Sequence, residues 1–241
     1  MEVTNYLLGY KDYLIVQDTD MFNFSLDSVL LPNFATINKN IKNILDIGCG
    51  NAPIPLILST KTKAKITGVE IQKEVYELAK KSVTLNNLDK QIEIINADIN
   101  EIYDTFENEY YDIITCNPPF FKVEEQSNLN NNTYKTIARH EVKLNLNQLF
   151  KIAKKLLKNN GNIVIVHRPE RLLEILSTMK EYNIEPKKLQ FVYPKTNMDA
   201  NILLIEGKKN GKSGLKIYPP IYIHYENGEY TEQITKYFET R

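Results

Sequence analysis

The chain has 241 residues, 42% hydrophobic and 25% charged, which is typical of a globular protein with one α/β domain. It contains no apolar run of the roughly 18 residues that a membrane helix needs, so no membrane association is predicted. The amino terminus has no basic region followed by an apolar stretch, which argues against a secretory signal and predicts a cytoplasmic protein. Cys49 and Cys116 belong to no Cys/His cluster at metal spacing, so no metal is expected, and both cysteines are interpreted as small apolar fillers.

The net charge is zero, but the two halves of the chain differ. Residues 1–139 carry 13 basic and 19 acidic side chains, whereas residues 140–241 carry 17 and 11. A chain that is basic in one half can offer a nucleic acid one attractive face, although charge that only keeps the protein soluble explains the pattern equally well.

The predicted elements begin with a small N-terminal extension, residues 1–42, which contains a strand-like Tyr13–Asp18 and a short helix around Asp27–Leu31. Seven apolar runs then predict strands: Ile44–Ile47, Lys65–Glu70, Gln91–Ala97, Tyr111–Cys116, Asn162–His167, Leu189–Tyr193 and Asn201–Glu206. Helical patterns lie between them: Pro53–Ser59, Lys73–Asn86, Leu146–Leu157 (ended by Asn160-Gly161) and Pro169–Tyr182. This alternation predicts a seven-stranded, mostly parallel sheet with helices on both faces.

The segment 208–241 is basic at first and then carries Asn227-Gly228 between strand-like runs, which predicts a C-terminal hairpin. The polar stretch Glu124–Thr136 predicts a loop. No linker marks a second domain, so we expect a single domain, 1–241, with an extension (1–42), a core (43–207) and a C-terminal segment (208–241).

A glycine turn follows the first strand of the core, Asp46-Ile47-Gly48-Cys49-Gly50. Ligands of parallel sheets bind beyond the carboxyl ends of the strands. Acids stand at the next two strand ends, Glu70 and Asp98, where the first can accept ribose hydroxyls and the second an adenine amino group. This arrangement resembles the Rossmann-like class I S-adenosylmethionine methyltransferases over roughly residues 40–207.

That resemblance implies S-adenosylmethionine as cofactor, with Asp46 in the cofactor turn. It also implies that Gly48 and Gly50 pack near the methionine part, that Glu70 holds the ribose and that Asp98 holds the adenine. One departure from the common pattern is the absence of a third glycine, because Asn51-Ala52-Pro53 stands there and predicts a stiffer turn.

The fourth strand is followed by Asn117-Pro118-Pro119-Phe120 and then Phe121. Two prolines stiffen the turn and display carbonyl groups. An amine that attacks a methyl group needs acceptors for its hydrogens, and Asn117 Oδ1 and the Pro118 carbonyl supply them, while Phe120 can stack on a base. Asn117, Pro118 and Phe120 are therefore the candidate catalytic residues, and Asn117 also borders the cofactor. The motif resembles motif IV of methyltransferases acting on adenine N6, cytosine N4, guanine N2 or glutamine.

Several further segments appear together with these motifs: FSLDSVLL from Phe24, ARHE from Ala138, and GEYT from Gly228. In this combination the chain resembles the bacterial tRNA1(Val) adenine-37 N6-methyltransferase family over nearly its full length. The resemblance implies N6 methylation of adenine in tRNA by a monomeric enzyme, with tRNA as its partner. It places five residues near the substrate: Phe24, Asp27, Phe121, Arg139 and His140.

Three alternatives stay open: a guanine-N2 rRNA methyltransferase, a protein-glutamine N5-methyltransferase, and an inactive RNA-binding module. Phosphate contacts are expected from some basic residues, with a solvated surface as the alternative for each. These candidates are Lys151, Lys154, Lys155, Lys158, Arg168, Arg171, Lys208, Lys209, Lys212 and Lys216.

Overall fold

The computed structural model describes residues 1–20, 25–118 and 144–238. It begins with an antiparallel hairpin of β1 (Glu2–Leu7) and β2 (Tyr10–Asp18), of which only the second strand was predicted. Gly9 turns the hairpin with φ +82°, and the carbonyl oxygen of Tyr237 lies 1.8 Å from where a Cβ would stand. Only glycine fits that turn, because the C-terminal helix approaches its backbone so closely.

The main sheet contains the seven predicted strands in the order β5-β4-β3-β6-β7-β9-β8, and only β9 runs antiparallel to its neighbours. The predicted mixed, mostly parallel α/β fold is therefore confirmed. The strands are β3 (Asn43–Ile47), β4 (Lys65–Glu70), β5 (Ile92–Asn96), β6 (Tyr111–Cys116), β7 (Leu157–His167), β8 (Ile184–Tyr193) and β9 (Ile202–Lys209).

Two short strands, β10 (Lys216–Ile217) and β11 (Ile221–Tyr222), pair in parallel with β8 and end the sheet. Pro219 and Pro220 lie between them. Proline has no N–H to donate to a strand ladder, so the edge is interrupted there.

Helices cover both faces of the sheet, as predicted. They are α1 (Leu26–Phe34), α2 (Pro53–Lys61), α3 (Lys73–Leu85), α4 (Ile99–Ile102), α5 (Leu146–Leu156), α6 (Leu172–Glu181) and α7 (Glu232–Phe238). A short 3-10 turn, Pro169–Arg171, precedes α6. Successive residues of β3 enter opposite cores, because Ile44 packs with α1 and α2 whereas Leu45 packs with α5. No helix in the described ranges is long and apolar enough to cross a membrane.

Several boundaries differ from the sequence prediction; β8, for instance, begins at Ile184 rather than at Leu189. Helix α5 ends at Leu156 rather than at Asn160-Gly161, because buried Leu157 pairs with Tyr111 and already belongs to β7. At the C terminus the Asn227-Gly228 turn forms, with Gly228 at φ +88°, but its antiparallel pairing is one bridge between His224 and Tyr230. The chain then enters α7 instead of extending the pairing.

Candidate active site

The carboxyl ends of four parallel strands meet at one edge of the sheet. In the strand register, Ile47 pairs with Cys116, and Glu70 pairs with Asn96. The residues that follow these ends are the glycine turn, Asp98 and Asn117. Since neighbouring strands lie about 4.8 Å apart, Gly48 and Asn117 start from adjacent positions. The structure thus brings the described candidate residues to one edge.

The glycine turn adopts a backbone that side chains disfavour. Gly48 and Gly50 have φ values of +70° and +56°, and both Gly48 N–H and Cys49 N–H donate to the Val69 carbonyl, at 2.9 and 3.1 Å. Apart from each glycine and its two chain neighbours, no atom of the described residues lies within 4 Å of the Cβ position at either glycine. The turn is therefore held from below by β4 and leaves its outer surface open for a ligand.

The missing third glycine is accounted for by Asn51 and Ala52. Ala52 precedes α2 with φ +72°, a left-handed conformation that is uncommon for a residue with a Cβ. Next to it, buried Asn51 donates from Nδ2 to the Val16 carbonyl of β2 at 2.8 Å. The Val16 N–H in turn donates to Ser82 Oγ of α3 at 3.0 Å. The N-terminal hairpin thus holds the turn in place, a contact that sequence patterns did not reveal.

Asp46, at the end of β3, is fully buried. Its Oδ1 accepts a hydrogen bond from Thr115 Oγ1 at 2.6 Å, whereas its Oδ2 has no partner among the described residues. Burial raises the pKa of Asp46 to about 7, and the nearby Glu70 charge acts in the same direction. A buried carboxylate with an unsatisfied oxygen attracts positive charge to this edge. Thr115, a fully buried polar residue among the apolar residues Ile113, Ile114 and Cys116, was the overlooked signal.

Glu70 is buried at the end of β4 and braces the turn. Its Oε2 accepts from the Gly50 N–H at 3.0 Å, and its Oε1 accepts from the Gln72 N–H at 2.9 Å. Each carboxylate oxygen has a second lone pair, so Glu70 retains acceptor capacity for a hydroxyl. Asp98 is the N-cap of α4, and its Oδ1 accepts from the backbone N–H and Nδ2 of Asn100, at 2.9 and 3.1 Å.

This arrangement fits S-adenosylmethionine, which carries a positive sulfonium and a positive ammonium group. The edge supplies the unpaired oxygen of Asp46, the carboxylates of Glu70 and Asp98, and an open glycine turn. It offers no cluster of His, Cys, Asp or Glu suited to a metal in the chain segments that are described. Burial raises the thiol pKa of both Cys49 and Cys116, so neither is a reactive thiolate at neutral pH.

Asn117 follows β6 and is half-buried, and Pro118 after it is buried. Asn117 Nδ2 donates a long hydrogen bond of 3.4 Å to Ser28 Oγ of α1. With its amino group directed at Ser28, the amide keeps its acceptor oxygen for another group. Ser28 is a second residue that the sequence patterns did not single out, since it lies within the apolar helix α1.

Asp27 lies beside this corner in the first turn of α1, where Ser25 and not Asp27 is the N-cap. Burial raises the pKa of Asp27, and the Arg168 guanidinium opposes that shift. Arg168 follows β7 and donates from Nη1 to the Asn201 carbonyl at 2.7 Å. Asp27 and Arg168 therefore link α1 electrostatically to the strand ends on the other side of Asn117.

The remaining predicted site residues lie outside the described residues, and their roles stay predictions. They are Phe24, Pro119, Phe120, Phe121, Arg139 and His140. The predicted loop Glu124–Thr136 lies outside as well.

The candidate phosphate-binding residues have different partners in the structure. On α5, Lys155 forms an ion pair with Asp104, and Lys158, just after that helix, forms one with Asp112. Arg171 binds Glu174 through two hydrogen bonds, and Lys209 is buried against Glu109. The Nζ atoms of Lys151 and Lys154 lie 6.0 Å from the ring centres of Tyr103 and Tyr182, respectively. That distance is the outer limit of a cation–π contact.

Comparison with known proteins supports the assignment of this site independently of its geometry. The family model described as Methyltransferase small domain matches residues 25–183. A tRNA1(Val) (adenine(37)-N6)-methyltransferase from Flavobacterium psychrophilum is 28% identical, over 93% of this chain and 99% of its own length. A second protein with that name, from Aliivibrio salmonicida, is 29% identical over 89% of each chain.

Solved structures agree on the fold. A predicted O-methyltransferase from Agrobacterium tumefaciens superimposes with a TM-score of 0.68 at 17% identity, covering 89% of this chain and 98% of its own. At that identity the likeness concerns the fold alone, and it reproduces the arrangement of helices around a mainly parallel sheet.

Proposed function

Because the chain belongs to the methyltransferase small domain family and is an S-adenosylmethionine-dependent methyltransferase, we propose that it methylates N6 of an adenine in tRNA. Adenine 37 of a valine tRNA is the candidate nucleotide, since that is the target in the names of relatives that match nearly the whole chain. A tRNA substrate also implies a cytoplasmic site of action.

The observation that carries this proposal is the position of Asn117 beside the glycine turn. Cys116 and Ile47 are paired across β6 and β3, so the residues that follow them, Asn117 and Gly48, emerge side by side. A group bound by the turn therefore lies within reach of a group held by Asn117. Such a site transfers a group by placing the two reactants in line, for which no nucleophilic side chain is needed.

When bound, S-adenosylmethionine supplies an electrophilic methyl carbon on a positive sulfur. The chain's part is to hold the amine. Asn117 Oδ1 and the Pro118 carbonyl accept hydrogen bonds from the two N6 hydrogens, which turns the nitrogen lone pair out of the purine plane. The cofactor would give up this methyl group and leave as a neutral thioether, and the methylated nitrogen would release one proton to solvent.

For the cofactor we propose that Gly48 and Gly50 lie along the methionine part, Glu70 accepts from the ribose and Asp98 accepts from the adenine amino group. Two observations support these roles: the open space above both glycines, and the lone pairs that Glu70 retains after bracing the turn. Asp46 attracts the cofactor's positive charge from below the turn.

We also propose that residues 1–241 act as one methyltransferase domain. Its extensions are tied to the core, because Val16 of β2 bonds to Ser82 and Asn51, and β10 and β11 pair with β8. Residues 1–42 and 208–241 are therefore additions to the core 43–207.

The test is to incubate unmodified valine tRNA with the protein and methyl-labelled S-adenosylmethionine, then digest the RNA to nucleosides. We expect the label in N6-methyladenosine. A transcript with guanine in place of adenine 37 is the matched control and should remain unlabelled. Label in N2-methylguanosine would favour the rRNA alternative, and label in a glutamine of a protein would favour the protein methyltransferase. Failure of S-adenosylmethionine to bind in a calorimetric titration would favour an inactive RNA-binding module.

A further inference from the structure

Lysines of the C-terminal half concentrate around β8, β9 and β10, at one end of the sheet. Lys187 Nζ donates to the carbonyl oxygens of Lys212 and Ser213, at 2.9 and 3.4 Å. Lys208 Nζ donates to the Asn160 carbonyl at 3.0 Å, and Lys216 pairs with Lys188 where β10 meets β8. We call Lys187, Lys208, Lys212 and Lys216 the β8–β10 lysine strip.

The strip keeps most of its positive charge. Among the residues that the structure describes, none of its four ammonium groups lies within ion-pair distance of a carboxylate. The nearby acids have other partners, since Asp112 pairs with Lys158 and Glu109 with Lys209. Glu185 is the exception, because it lies opposite Lys208 in the strand register and offsets part of one charge. The surface is therefore complementary to a polyanion.

Exposed apolar side chains interrupt the lysines. Leu215, Ile217 and Tyr218 are exposed on and beside β10, with Ile217 68% accessible. Cations interleaved with an exposed aromatic ring favour nucleic acid, whose phosphates and base or sugar faces both find partners there. An acidic protein would match the charge alone.

The strip lies far from the proposed reaction. Strand β10 is separated from β6 by β7, β9 and β8, so four strand spacings of about 4.8 Å put Lys216 roughly 19 Å from the end of β6 that Asn117 follows. The methylated adenine and its immediate neighbours do not span that distance, whereas a folded tRNA does.

We propose that the β8–β10 lysine strip binds backbone phosphates of the tRNA body while the target adenine lies at Asn117, so that the enzyme contacts its substrate at two separate places. This inference rests on the proposed tRNA substrate.

The experiment compares the parent with Lys187→Gln/Lys212→Gln/Lys216→Gln. Glutamine keeps a donor for the hydrogen bonds of Lys187 but removes the charge. A control triple, Lys63→Gln/Lys80→Gln/Lys90→Gln, makes the same charge change at exposed positions around β4 and β5. For each protein, tRNA binding is measured by fluorescence anisotropy over a salt series, and methyl transfer is measured separately as kcat and KM.

For the strip variant we expect tRNA binding weaker on the order of tenfold, with KM raised and kcat unchanged. The slope of log affinity against log salt should fall by about one for each phosphate that the variant no longer binds. S-adenosylmethionine affinity and Tm should match the control triple, which excludes a folding defect.

Equal tRNA binding by the strip variant and the control triple would overturn the inference, whatever the activity, and so would a parent that binds no tRNA. Weaker binding by the strip variant, together with no N6-methyladenosine from the parent, would refute the proposed function but support the strip as an RNA-binding surface. The two failures are therefore distinguishable.

Discussion

Two aspartates on neighbouring strands show how the two edges of the sheet differ. Asp46, at the carboxyl end of β3, has one bonded oxygen, one unsatisfied oxygen and a pKa raised by burial. Asp112, near the amino end of β6, accepts from the backbone N–H groups of Lys42 and Asn43 and from Lys158 Nζ. Although burial works to raise the pKa of Asp112, these donors lower it. Asp112 is thus paired within the fold, whereas Asp46 keeps an unsatisfied oxygen, as expected of an acid that serves a ligand.

Two cavities lie at the amino edge of the sheet, away from the candidate active site. Cavities of about 540 and 180 Å³ are lined by the amino ends of the strands, including Asn43, Lys65 and Gln91 in the larger one and Gly161 in the smaller. Polar groups in the larger cavity are already bonded to the chain, since Gln91 Nε2 donates to the carbonyl oxygens of Thr62 and Ala64. The chemical character of the edge therefore identifies the candidate active site better than its volume.

The largest effect should come from Asn117→Ala at the carboxyl edge. Loss of the amide oxygen removes an acceptor that acts on the attacking amine, so we expect kcat to fall by about 100-fold, as for other preorganised polar groups in active sites. S-adenosylmethionine should still bind within a fewfold of the parent affinity in calorimetry. Normal turnover by this variant would contradict the proposed role of Asn117. The contrast between a functional carboxyl edge and a structural amino edge would then no longer hold.

Asp46→Asn should weaken S-adenosylmethionine binding about tenfold at pH 8, because it removes a buried negative charge beneath a cationic ligand. In the parent, affinity should increase as the pH rises through 7, where Asp46 ionises. The ligand-free parent should become less stable over the same rise, since the unfolded chain ionises this carboxyl at lower pH. Calorimetry and thermal melts at pH 5 to 8 measure both, and a parallel pH dependence in Asp46→Asn would assign the effect to another group.

Asp112→Asn, in contrast, should lower the stability of the protein without weakening cofactor binding. It loses charge-assisted hydrogen bonds to Lys158 and to two backbone N–H groups, so the free energy of unfolding should fall by about 1 kcal/mol after allowance for solvent screening. The pKa of Asp112 is lowered in the folded state, so the deficit should be present at neutral pH and disappear as the pH falls below about 4. Urea unfolding measures it, while S-adenosylmethionine affinity should stay unchanged.

The smallest effect is expected from Ser28→Ala, which removes the acceptor that orients the Asn117 amide. A neutral hydrogen bond of this kind contributes about 0.5–1.5 kcal/mol, so kcat should fall about three- to tenfold with unchanged cofactor affinity. Ser59→Ala is the matched control, because Ser59 is also buried but bonds to the Leu56 carbonyl within α2. Equal losses in both variants would reduce the role of Ser28 to packing.

Local patterns in the sequence were sufficient to predict the seven main strands of the sheet and the residues at its carboxyl edge. Apolar runs that alternate with helical patterns located all seven strands, and residues just after them, such as Gly48, Glu70 and Asn117, could be selected because parallel strands end at a common edge. Boundaries differed where tertiary pairing extended a strand, as at Leu157.

What the sequence determined by itself was therefore the order of elements and the residues at their ends, because periodicity and turn chemistry are local properties. Only the tertiary structure decided which distant groups support them. Ser28 reaches Asn117 across 89 residues, and Asn51 reaches Val16 across 35. It also decided that Lys208, Lys212 and Lys216 lie near the β10 end of the sheet, to one side of Asn117. Such contacts depend on how the folded elements pack against one another, and no local pattern encodes that packing.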